Sequence, residues 1–171
     1  MATGTGPVPI TPSGLRRLKD ELKQLQSVER GKISHEIEVA RAHGDLKENA
    51  EYHAAKEKQS HIEGRILDVN DWIARAEVID ISKLKGDKVV FGATVVLVDT
   101  ATDKEVTYRI VGETEADIKK RLISVAAPLA RGLIGKTVGD VATVQSPGGS
   151  HEYEIKHISF EEQEEGSETA L

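Results

Sequence analysis

The chain contains no cysteine. That excludes disulfides and thiolate-held zinc or iron–sulfur centres, and it fits a reducing cytoplasm. Aromatic residues are scarce, with one Trp, three Tyr and two Phe in 171 residues. A core short of large side chains makes extended helix pairing a natural second source of stability. No run approaches the ~18 consecutive apolar residues of a helical membrane span. Met1 to Ile10 carries neither the basic nor the apolar region of a signal peptide. A broad cationic surface is also missing. The net charge is −6, and five glutamates with no Lys or Arg between Glu161 and Leu171 supply −5 of it. The remainder, at −1, is close to neutral. Such a body lacks the positive field of a bulk duplex-DNA binder, so any nucleic-acid contact must be local. The acidic end is expected to be a disordered, solvated tail.

What is present begins with helical periodicity. Thr11-Pro12 is a start signal, a cap residue followed by Pro at the first helical position. Leu15, Leu18, Leu22 and Leu25 follow at heptad spacing. Tyr52, Ala55, Gln59, Ile62, Ile66, Val69, Ile73 and Ala76 sustain the same alternation for four heptads. Two such stripes separated by a turn predict an antiparallel coiled coil. The first stripe slips by one residue, continuing as Ile33, Ile37 and Ala40. Gly31 lies at the slip, so a kink or local unwinding is expected there. His43-Gly44-Asp45 marks a tight turn, with Gly44 free to adopt a left-handed conformation. A helix of about 32 residues is about 48 Å long at ~1.5 Å per residue. The hairpin is therefore expected to be a rod with its turn far from the rest of the protein.

After a connection near residues 82–87 the pattern changes to period two with β-branched residues. Strands are expected over Val89–Asp99 and Glu105–Gly112, then short helices over Glu115–Leu122 and Pro128–Ile134. A second hairpin, Val141–Gln145 with His151–Phe160, would turn at Pro147-Gly148-Gly149. The class is α+β. The divisions are an N-terminal tail (1–10), a coiled-coil hairpin (11–82) with an acidic tip near 44–48, a globular domain (83–160) and an acidic tail (161–171).

Asp45 and Glu48 carry the chemical interest. Three residues apart at the expected start of the second helix, they put two carboxylates on one side of its first turn. Two carboxylates with water and phosphate suit Mg²⁺, a hard cation that prefers oxygen ligands. The same spacing also describes a capping box, in which both side chains satisfy free backbone N–H groups. Spacing alone favours the cap. Tyr52 fits the helical seam. Arg41, Lys47, Lys56 and Lys58 can form a small basic face for phosphates, although Glu51 and Glu57 among them equally describe a solvated helix surface. His35, His43, His53 and His61 show no i, i+4 pair and so do not read as a zinc site.

The segment from Ala42 to Glu57, AHGDLKENAEYHAAKE, resembles the signature of the Gre transcript-cleavage factors of bacteria. Val90–Val95, Tyr108–Gly112 and Pro128–Lys136 resemble the same family's C-terminal domain, and the likeness runs in order from about Pro9 to Phe160. The resemblance implies a coiled-coil hairpin followed by a small FKBP-like α+β domain. It implies a factor that enters the secondary channel of RNA polymerase and stimulates the polymerase's intrinsic hydrolysis of a backtracked RNA 3′ end. The factor would itself be no enzyme. It assigns Asp45 and Glu48 to Mg²⁺ or water in the polymerase active site, with no metal held stably by the free protein. By the same likeness Tyr52 meets RNA or the active site, where Arg41, Lys47 and Lys56 are expected from their charge and position. Ile123, Ser124 and Pro128 lie in the segment that docks on the polymerase, with packing inside the domain the other reading of Ile123 and Pro128. Where the family usually has Ser before that Pro, this chain has Ala127, and a contact through that hydroxyl is lost. The expected setting is cytoplasmic, with a monomer when free and no membrane partner. Rival readings are a channel-occupying inhibitor, argued against by the intact acid pair, a plain coiled-coil adaptor, and a prolyl isomerase. The last is argued against by the few aromatics of the domain, Phe91, Tyr108, Tyr153 and Phe160.

Overall fold

A computed structural model describes residues 5–160 of the chain. The expected acidic tail from Glu161 and the first four residues lie outside that range. The described chain divides into two compact units, one built from Leu15–Ala76 and the other from Val8–Gly14 with the residues from Glu77 onward.

In the first unit, α1 (Pro12–Gln24), a π-helical stretch (Leu25–Glu29) and α2 (Arg30–Arg41) run on without a break. The second arm is α3 (Ala50–Arg75). Thr11 caps the first arm as its sequence suggests, its Oγ1 accepting from Gly14 N at 3.1 Å. The one-residue slip of the seam takes physical form in the π-helical stretch. A π turn adds one residue without changing the face that follows, so Leu18 on one side and Ile33, Ile37 and Ala40 on the other are all buried. The extra residue is absorbed just before Gly31, not at it. Ile33 and Ile37 pack with Ala55, flanked by Tyr52 and Ile62, and Ile66 and Val69 continue the stripe on α3. Ion pairs between the arms, Glu21–Arg65, Arg30–Glu63 and Glu36–Lys58, climb one helix while descending the other, which marks the pair as antiparallel.

The second unit is built on a five-stranded sheet in the order β5-β4-β3-β7-β6, from β3 (Thr94–Asp99), β4 (Glu105–Val111), β5 (Leu122–Ser124), β6 (Val141–Ser146) and β7 (Gly149–Ser159). Only β4 and β5 pair in parallel. Helix α4 (Pro128–Leu133) covers the face on which Val95, Leu97, Ile110, Ala142 and Ile155 meet Ala130 and Leu133. The class is α+β, as expected. A two-stranded sheet joins β1 (Val8–Ile10) to β2 (Ala76–Val78). The tail expected over residues 1–10 therefore gives way at Val8 to a paired strand. Glu115 secures this strand's end, accepting from Thr11 N at 3.2 Å, Gly112 N at 2.9 Å and the Thr11 hydroxyl.

Three sequence expectations change here. Residues 89–93 do not join β3, because Gly92 turns at φ +85° against Ile81, where a Cβ would lie 2.7 Å from Ile81 Cγ1. Glu115–Leu122 is not a helix. Asp117 exchanges both backbone hydrogen bonds with Leu122, and Arg121 takes φ +60°, which folds the segment into two short 3₁₀ turns before β5. The tight turn at 43–45 widens to the eight residues between α2 and α3.

Candidate functional site

The segment Ala42–Asn49 joins the two arms and carries both acids of interest. Helix α2 ends normally, with Ala42 N on Glu38 O and His43 N on Ala40 O, and Gly44 then turns at φ +121°. Asp45 and Glu48 do not lie on the first turn of the second helix, as their spacing suggested. They precede it, because Asn49 takes the cap. The Asn49 Oδ1 accepts from Tyr52 N at 3.1 Å, with backbone angles of −85° and 97°, outside the helical region. Asp45 instead closes a turn of its own, one oxygen accepting from Lys47 N at 3.0 Å. Glu48 is exposed and has no hydrogen bond or ion pair among the described residues.

The capping-box reading of this pair is therefore not what forms. Neither carboxylate bonds an N–H of the helix that follows. Both line an open depression of about 450 Å³ with His43, Asn49, Ala50 and Glu51. His43 Nδ1 lies 3.6 Å from a Glu51 oxygen, with both side chains more than half exposed. Among the described residues no third His, Asp or Glu joins the pair to form a metal-holding group. Two oxygen-donor side chains with open coordination space suit a hard cation whose remaining ligands come from elsewhere. They do not form a closed site alone.

Tyr52, on the first turn of α3, is half-buried and packs on the Ile33, Ile37 and Ala55 cluster. The Arg41 guanidinium sits 5.8 Å from its ring centroid, within cation–π range, and the His53 ring meets its edge at 5.6 Å. Tyr52 thus closes the hairpin core beneath the tip. Arg41 and Lys56 line one shallow depression together with Glu38, and Lys56 donates to Gln59 at 3.0 Å. Lys58 is drawn away, pairing with Glu36 at 3.3 Å. Lys47 is exposed on the tip, its N held by Asp45 and its carbonyl 3.1 Å from His53 Nε2. The structure brings Arg41 and Lys56 together; Lys58 does not join them.

In the second unit, Ile123 is 7% exposed and belongs to the core, in register with Ile110 of the neighbouring strand. Strand pairing turns its side chain inward, so of its two expected roles the structure shows the packing one. Ser124 closes a local turn, its Oγ accepting from Ala126 N at 3.1 Å. Pro128 is exposed at the first position of α4, after Ala127, which offers no side-chain cap. Tyr108, Tyr153 and Phe160 pack against the core, and desolvation pushes the Tyr153 hydroxyl pKa above its ordinary value of 10.0. Their apolar faces are engaged in folding.

The site residue that sequence reasoning missed is Asn49. Its signal was present: Asn leads the N-cap preferences, and Ala50-Glu51 after it suits a first helical turn.

Residues 8–78 match a family model described as transcription elongation factor, N-terminal, and residues 84–160 match one described as transcription elongation factor, GreA/GreB, C-term. The chain is 65% identical over 157 residues to the transcription elongation factor GreA of Anaeromyxobacter sp. (strain K), covering 92% of this chain and 95% of that protein. It is 56% identical over 154 residues to the transcription elongation factor GreA of Rickettsia bellii (strain OSU 85-389), covering 90% and 96%. Among solved structures it matches the GreA factor homolog 1 of Thermus thermophilus with a TM-score of 0.41 at 25% identity, over 90% of this chain and 99% of that one.

Proposed function

Because the chain belongs to the GreA/GreB family of transcription elongation factors, we propose that it works from outside the RNA polymerase active site, entering through the secondary channel with its acidic tip leading. There it stimulates the polymerase's own hydrolysis of RNA whose 3′ end has been extruded by backtracking. The cut leaves a new 3′ end in register, and the stalled complex resumes. The chain itself is no enzyme on this reading. It completes a site that the polymerase only partly supplies.

The observation that carries the reading is the division of labour at the turn. Asn49 caps the helix, so Asp45 and Glu48 stay exposed on the tip, one Asp45 oxygen accepting from Lys47 N and the other left uncommitted together with the Glu48 carboxylate. Hydrolysis of a phosphodiester benefits from two metal ions, one activating water and one stabilising the leaving oxygen. Asp45 and Glu48 suit the oxygen shell of the more weakly held Mg²⁺ in the polymerase, and the free chain holds none stably. Asp45 presents its second oxygen while the first is fixed by Lys47 N. Glu48, unrestrained, would adjust to the ion or orient the attacking water. Tyr52 keeps the arms closed behind them, and Arg41, Lys47 and Lys56 offer positive charge to phosphates of the displaced RNA.

The globular unit docks at the rim of the channel through the β5–α4 connection, where Ser124 and Pro128 are the surface elements. Ile123 acts there only by holding the strand. No described helix is long and apolar enough to cross a membrane, and the partner polymerase sets the cytoplasm as the compartment.

The test is the double variant Asp45→Asn with Glu48→Gln, added to a backtracked elongation complex. Stimulated cleavage should disappear while competition for the channel persists. Retained cleavage would refute the assignment. Slowed elongation by the wild-type chain on a complex that is not backtracked would mark it as an inhibitor instead.

A further inference from the structure

The side chain of Asn49 does two things at once. Its Oδ1 accepts from Tyr52 N at 3.1 Å, which caps α3. Its Nδ2 donates to Ala40 O at 2.6 Å, in the last turn of α2. That carbonyl also accepts from His43 N at 3.2 Å. One amide therefore fastens the end of one arm to the start of the other, across the segment that carries both acids. Helix capping alone asks only for an acceptor, and Ser, Thr, Asp or Asn would serve about equally. Bridging to a carbonyl as well requires a donor beside that acceptor, at amide spacing. Only Asn has both heads on so short a stem.

The middle of the loop is held from the same helix. His53, one turn into α3, places Nε2 at 3.1 Å from Lys47 O, and Lys47 N is bonded to Asp45. Asp45 is thus tied through Lys47 to His53, while Glu48 is the residue next to Asn49. The other restraints lie at the start of the segment, where Gly44 turns at φ +121° with its N on Arg41 O at 3.4 Å and His43 approaches Glu51.

We infer that Asn49 is a positioning residue for the cleavage reaction: its amide bridge between Ala40 and Tyr52 sets where Asp45 and Glu48 stand. The inference rests on the reading of those two acids given above. It concerns the geometry of the tip, since α3 can be capped in other ways. A displacement of about 1 Å in a catalytic group is enough to cost about 10²-fold in rate.

The test uses full-length Asn49→Ser and Asn49→Asp, each able to cap the helix and neither able to donate to Ala40 O as the amide does. Both are measured beside Asp45→Asn/Glu48→Gln on a backtracked polymerase complex. Helicity is followed by circular dichroism. Cleavage is followed in single turnover as a function of factor concentration, which separates the saturated rate from the concentration giving half of it. The expected result is wild-type helicity, half-saturation within about twofold, and a saturated rate lower by about tenfold or more. A saturated rate within about twofold of wild type would overturn the inference. So would a loss confined to half-saturation, or one that tracks a loss of helicity, because Asn49 would then serve docking or folding. Cleavage surviving in the Asp45/Glu48 variant removes the underlying reading and this inference with it. An inactive Asp45/Glu48 variant beside fully active Asn49 variants removes this inference alone.

Discussion

Deleting Ser27 should leave the hairpin as stable as before, or more so. The π-helical stretch Leu25–Glu29 exists because Leu25 and Ile33 are eight residues apart where a continuous heptad stripe would have seven. Removing one residue inside it restores the spacing. The stretch can then close as ordinary α-helix while Leu18, Ile33, Ile37 and Ala40 keep their buried faces. The arm shortens by at most one residue's rise, ~1.5 Å. Deleting His35 is the matched control, a single-residue deletion outside the stretch, on the other side of Ile33. It leaves the eight-residue gap and shortens the step from Ile33 to Ile37. Either Ile33 (3% exposed) or Ile37 (8%) with Ala40 (4%) must then rotate off the seam by about 100°. Losing one buried isoleucine costs about 1.5–3 kcal/mol, which for a unit of this size is a fall in midpoint of roughly 10 °C. Thermal unfolding followed by helical circular dichroism reads both. If loss of Ser27 proved as damaging as loss of His35, the π turn would not be the site of the register change, and the two-seam account of the hairpin would be wrong.

Other outcomes follow from single residues. Ile123→Ala should destabilise the globular unit by about 2–4 kcal/mol in urea titration, because its side chain is in the core. Glu115→Ala removes three hydrogen bonds to a charged acceptor at the end of β1. A loss of roughly 3 kcal/mol is expected in the same assay. Gly14→Ala should be destabilising too, since its Cβ would lie 2.3 Å from the Glu115 carboxyl carbon. The Arg30 guanidinium, bonded to both oxygens, holds the Glu63 carboxyl below its ordinary pKa of 4.5. A pKa depressed in the folded state gives stability that is present above the ordinary value and lost as pH falls through the folded one. The midpoint advantage of wild type over Glu63→Gln should therefore be present at about pH 6 and vanish on acidification below about 4.5. It should also shrink with added salt.

Much of this architecture is legible in the sequence because it is periodic. The two stripes, the one-residue slip and the change to period two are local regularities, and the arms and strands follow from them. The place where the slip is absorbed is not local. Any turn between Leu25 and Ile33 satisfies the spacing, and Gly31 draws the eye although the extra residue enters just before it. At the tip, Asp45-x-x-Glu48 and Asn49-x-x-Tyr52 are competing cap patterns of the same form. The choice between them is made by the amide bridge to Ala40, a contact between residues on opposite arms. Ile123, beside Ser124 and Pro128, is open in the sequence to both docking and packing within the domain. Its inward face is set by parallel pairing with β4, which no short window contains. Glu115 likewise looked like the start of a helix, while its partner Thr11 lies 104 residues away.

The central claim concerns two carboxylates that complete a metal site held by another protein. Its most direct test is the Mg²⁺ dependence of cleavage by a backtracked polymerase, alone and with saturating factor, wild type or Asp45→Asn/Glu48→Gln. The wild-type chain should lower the Mg²⁺ concentration needed for half-maximal cleavage, and the double variant should leave the polymerase at its unassisted value. An equal shift by both proteins would contradict the account.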